Sequence, residues 1–223
     1  NLKVSTPALA GGIEVPQASN SNPDQVSGDA TLTLKGDKSL GDGFFIKAGS
    51  NVQVAVEKNE LKQVKGSVAW RWEQWVGGTL TASTGSTLTQ ISGDGNALLL
   101  KKYTVAGTGF NILAGSGVAA KVVNNKLDSV SGSVLWSYDA TEWLVGDFTL
   151  PAGTKLDSPA GTANARLAKD KVYAPVLLKQ GGALQAEIAA GKPTTFGVKV
   201  LWAYPQTDGW LEGDVTLASG SKL

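Results

Sequence analysis

With no His and no Cys among its 223 residues, this chain can do chemistry only through carboxylates, Lys, Tyr or Ser. A Ser-His-Asp triad, a Cys-His pair and any zinc site built on His or Cys are excluded outright. Glycoside hydrolysis stays open in principle, because it asks only for two carboxylates flanking a cleft. The best-matched pair is Asp147 and Asp214, in Gly146-Asp147-Phe148-Thr149 and Gly213-Asp214-Val215-Thr216. Each follows a Gly in an alternating run, the pattern of a strand edge or bulge, and Thr79 holds the corresponding place earlier in the chain. A second group, Glu73, Asp139, Glu142, Asp208 and Glu212, gathers near tryptophans. Their spacing matches no calcium loop, so they read as solvated loop residues. Gly41-Asp42-Gly43 and Gly107-Thr108-Gly109 lack the Lys-Ser/Thr that completes a phosphate-binding loop. The expectation is a chain without catalytic, cofactor-binding or metal-ligating residues, and not an enzyme; a carboxylate-dependent glycan-active enzyme is the third reading.

Aromatic side chains are the other candidates. Trp70 and Trp75, Trp136 and Trp143, and Trp202 and Trp210 form pairs separated by 4, 6 and 7 residues, normal lengths for hairpin loops. The first Trp of each pair closes an alternating run and is expected to anchor a core by burial. Trp75, Trp143 and Trp210 open the following run. Together with Trp72, where the other copies carry Tyr138 and Tyr204, they are the candidate ligand or partner contacts. Flat indole faces suit sugar rings, so a carbohydrate-binding adhesin using these hairpins is the alternative function.

The elements that hold these residues repeat. Shifting the sequence by 66 lays Phe44–Trp70 on Phe110–Trp136 with 14 of 27 positions identical and no gap. A second block closes each copy at Trp75–Leu88, Trp143–Leu156 and Trp210–Leu223. Self-similarity at a fixed period signals one supersecondary unit duplicated and stacked. The expected domains are an N-terminal tail or arm at 1–25 and β repeats at 26–88, 89–156 and 157–223. Leu32-Thr33-Leu34-Lys35 aligns with Leu98-Leu99-Leu100-Lys101 in the first element. Alternation such as Val52, Val54 and Val56 predicts half-buried strands, bounded by turn residues such as Ser92-Gly93-Asp94-Gly95. Ala183–Ala190 comes nearest to a helical turn. The predicted fold is all-β: three tandem antiparallel modules of about 66 residues, sandwich- or barrel-like, with four or five strands each.

Composition narrows the setting. Net charge is +1, with 18 Lys and two Arg, and no basic cluster of the kind that tracks nucleic acid. No apolar run reaches the length of a membrane-spanning helix. The absence of Cys, His and Met beside 28 Gly leaves little to oxidise and is typical of exported surface or particle proteins. The first residue is Asn, as expected of a processed chain or one with a leading signal segment. Tandem β repeats with Gly-Thr turns resemble, in style alone, those of bacterial surface fibres, phage decoration and tail proteins, and adhesins. The expected function is therefore a non-catalytic structural protein of an extracellular surface, filament or virus particle. Units this small bury little alone, so homo-oligomerisation is expected, through module edges and through the arm. Leu2 and Val4 alternate ahead of the polar spacer Ser19–Asp24 and would add a strand to a neighbour.

Overall fold

The structure, a computed structural model, describes residues 25–222. The predicted arm with Leu2 and Val4 lies outside those residues. Among the described residues the chain is all-β, 63% strand without helix, in several antiparallel sheets, none of them closed. It divides into two compact units, one running up to Leu98 and including Ala119–Asp128, the other made of Leu99–Val118 and Ser129–Leu223.

In the first unit, β1 (Gly28–Thr33), β4 (Asn51–Glu57) and β5 (Glu60–Lys65) form a three-stranded sheet in the order β1-β4-β5. A second sheet runs through β2 (Lys38–Ser39), β3 (Phe44–Ile46), β6 (Ser67–Trp72), β7 (Val76–Ala82), β8 (Gly93–Leu99) and β11 (Gly117–Val123). Val52, Val54 and Val56 are buried on one face of β4 while Asn51, Gln53 and Glu57 face out, which is the period-2 pattern read from the sequence. Between β5 and β6, Gly66 takes φ +74°. That left-handed value suits only Gly well, and it ends one strand and redirects the next.

The second unit holds β9 (Tyr103–Thr104), β10 (Phe110–Ile112), β12 (Lys126–Tyr138), β13 (Leu144–Thr154), β14 (Gly161–Leu167), β15 (Lys171–Tyr173), β16 (Val176–Leu178), β17 (Ala183–Ala189), β18 (Lys192–Tyr204) and β19 (Leu211–Ser221). The order is β15-β16-β18-β17-β14-β13-β12, with β10 also on β12, β9 on β10, and β19 on β18. Ala183–Ala189 is a strand with strict alternation of exposed and buried positions; small residues pack on a pleated face as readily as on a helix.

One sequence alignment changes once the pairing is known. Leu34 N–H donates to Ser50 O while Gly49 N–H donates to Leu34 O; Leu99 makes the same two bonds with Ser116 and Gly115, and Leu167 with Gly182 and Gly181. The true counterpart of Leu34 is thus Leu99, one residue short of the 66-residue shift. Burial gives the reason: Leu32, Leu34, Ala97 and Leu99 are buried, whereas Leu98 and Leu100 are exposed, and a one-residue slip swaps faces. The strand count also exceeds four or five per repeat, because β2, β3, β9 and β10 have only two or three residues, too few to show alternation.

Candidate functional site

The first two Trp hairpins each grow from one buried aromatic. Trp70 stacks on Phe44 at 5.5 Å between ring centroids, and Trp136 on Phe110 at 5.2 Å, both nearly parallel. These pairs are fully buried and act as core anchors. Trp202 is only half-buried. The cross-strand aromatic pair lies one step outward: Trp72 meets Trp75 edge-on at 5.2 Å, and Tyr138 meets Trp143 edge-on at 6.4 Å.

The hairpin tips are held by the backbone of neighbouring turns. Trp72 Nε1 donates to Asp42 O at 2.8 Å, Glu73 N–H to Gly43 O at 2.6 Å and Asp139 N–H to Gly109 O at 2.7 Å. Gly41-Asp42-Gly43 has three consecutive positive φ values, 93°, 48° and 77°, and a side chain on Gly43 would lie 2.7 Å from Glu73 Cγ. These glycine turns serve as abutments of the hairpins. A loop carboxylate meets each of the first two indoles: Trp75 Nε1 donates to Glu73 at 3.0 Å, and Trp143 to Asp139. Burial works to raise the Asp139 pKa, but hydrogen bonds from Thr141 and Trp143 and the charge of Lys171 outweigh it, and the net shift is downward. Burial, and then the Asp139 charge, raise the Tyr173 pKa.

Of the four candidate tryptophans, the structure leaves Trp75 at 9% and Trp143 at 4% exposure, Trp72 half-buried, and Trp210 at 70%. Trp75 and Trp143 thus present little exposed indole; Trp143 is capped by Lys171, whose Nζ sits 4.6 Å from the ring centroid. Trp210 alone presents an open indole, beside exposed Tyr204 and Leu211. Asp147 and Asp214 are exposed mid-strand residues. Asp147 faces Leu135 and Asn164 across the ladder, and Asp214 faces Leu201, so neither has a carboxylate opposite it. Among the described residues no three His, Cys, Asp or Glu side chains cluster as metal ligands.

Residues that no chemical motif flagged hold the turns together. Asn125 at φ 65° accepts from Ile91 N–H and donates to Thr89 O and Leu40 O, and Asn59 at φ 68° accepts from Val26 N–H. Their identity across the 66-residue shift was the available signal. Compared with known proteins, the chain matches no family model, no curated protein and no solved structure. No helix among the described residues is long and apolar enough to cross a membrane.

Proposed function

We propose that this chain is a non-catalytic structural protein of an extracellular surface assembly, a filament or a virus particle, built from three tandem β repeats at 26–88, 89–156 and 157–223. The observation that carries this reading is the recurrence of one hydrogen-bond set. Lys47 N–H donates to Ala69 O, Leu113 N–H to Leu135 O, and Lys179 N–H to Leu201 O, each pair 66 residues after the last. Residues shared by the copies are spent on building them: the stacked Phe-Trp anchors, the Asn turns and the glycine abutments. The one carboxylate position that two copies share, Asp147 and Asp214, has no second carboxylate opposite it, which supports a structural role over an enzymatic one. Homo-oligomerisation, with no nucleic-acid partner, follows from the small size of each repeat and its sparse Arg.

A carbohydrate-binding adhesin is the second reading, favoured by one observation, the open face of Trp210. A glycan array on the purified chain, run beside size-exclusion chromatography, separates the two. Oligomers without a glycan signal support the structural role; a monomer whose glycan binding is lost in Trp210→Ala supports the adhesin. A hydrolytic activity that disappears in the folded Asp147→Asn/Asp214→Asn variant would restore the enzyme.

A further inference from the structure

Strand β19 carries features that make sense only opposite a strand that the described residues do not place there. β7 pairs with β8, and β13 pairs with β14, so the closing strand of one repeat receives the opening strand of the next. Among the described residues β19 pairs only with β18, and β1 only with β4. Among the described residues, the outer edge of β19 is thus a closing strand with no opening strand against it, and that of β1 an opening strand with no closing strand against it.

The glycines tell what should lie there. A Cβ on Gly78 would sit 1.9 Å from Asn96 O, and one on Gly146 2.0 Å from Asn164 O. Both positions must be Gly because the neighbouring strand's carbonyl fills the space. Gly213 is the third copy of this position, opposite Trp202 as Gly146 is opposite Trp136. Yet a Cβ there would meet nothing nearer than Trp202 Nε1 at 3.9 Å, and its φ is not in the left-handed region. Nothing among the described residues requires this glycine.

We propose that β19 of one molecule pairs antiparallel with β1 of a second copy, repeating the β13–β14 contact between chains. This deepens the structural reading above, on which it rests, by naming the partner and its register. Moving β13 forward by 67 residues and β14 back by 133 turns Leu144↔Leu167, Gly146↔Ala165 and Phe148↔Ala163 into Leu211↔Leu34, Gly213↔Leu32 and Val215↔Ala30. Asn96 and Asn164 both map onto Thr31, whose carbonyl then fills the space above Gly213. Trp136 Nε1 donates to Asn164 O at 3.3 Å, so half-buried Trp202 gains the same bond to Thr31 O. Lys171, which caps Trp143, maps onto Lys38, which caps the open Trp210. Ala30 and Gly28 match Ala163 and Gly161 in β14; these small residues leave room for the incoming strand. The contact is heterologous, so it propagates head to tail.

Because the chain has no Cys, one cysteine on each edge tests the pairing cleanly. Asp214→Cys and Thr31→Cys molecules, mixed and oxidised, should form a disulfide-linked dimer that neither variant forms alone. Cross-links within each variant alone, or none in the mixture, overturn the interface. Gly213→Val should keep the parent's thermal melt and raise the concentration needed for assembly by about tenfold or more; unchanged assembly in the folded variant overturns the proposal. Should that variant unfold, the cysteine pair decides. If deleting residues 1–22 abolishes assembly and the cysteines stay unlinked, the N-terminal arm is the connector: this interface falls and the structural reading stands. A parent chain that is monomeric at every concentration overturns both.

Discussion

At the residue scale, one aromatic type does two jobs, and burial separates them. Trp136 is enclosed by Phe110 and the β13 ladder, and Trp210 stands in solvent. Trp136→Ala should cost about 3–5 kcal/mol, the range for emptying a buried aromatic site, whereas Trp210→Ala should change stability by less than about 0.5 kcal/mol; urea denaturation of the two variants checks the contrast. Asp139 gives a pH prediction. Its pKa is lowered in the folded chain, so its contribution is present above the unfolded carboxylate pKa of about 3.9 and is lost as pH falls through the lower folded value. Melting temperature followed through that acid limb should drop less steeply in Asp139→Asn than in the parent. An identical slope would assign the acid sensitivity elsewhere. The sequence showed that tryptophans matter but not which are open. Trp75, Trp143 and Trp210 share a position, yet the first two are buried and the third is exposed.

At the element scale, alternation was legible wherever a strand is long enough. β4, β11 and β17 each bury every second residue. The short β2 and β9 were not legible, since pairing with β3 and β10 defines them rather than any pattern of their own. The slip between Leu34 and Leu100 was invisible for a related reason. Leu98-Leu99-Leu100 offers Leu on both faces, and only the bonds of Leu99 to Ser116 and Gly115 choose one. The turn after β11 shows how side chains outside any strand fix an element. Asn125→Ala removes an acceptor from Ile91 N–H and two donors, to Thr89 O and Leu40 O. Leaving such groups unsatisfied should cost about 1–3 kcal/mol, read as a lower denaturation midpoint, with amide exchange of Ile91 accelerated first.

At the scale of the whole molecule, repeat and edge are one argument. Leu144, Phe148 and Leu150 of β13, which β14 covers, are buried, while Leu211 of β19 is exposed. Half-covered edges of this kind invite pairing, and the matching Gly146 and Gly213, with Lys171 and Lys38, give the proposed pairing a register. The 66-residue self-similarity was plain in the sequence; the proposed match of β19 to β1 was not, because it depends on which carbonyl crowds which glycine. Sedimentation velocity of the purified chain over a wide concentration range tests the assembly role most directly. A weight-average mass that climbs above the 23.0 kDa of one chain as concentration rises is the predicted result. A mass fixed at 23.0 kDa throughout would contradict it.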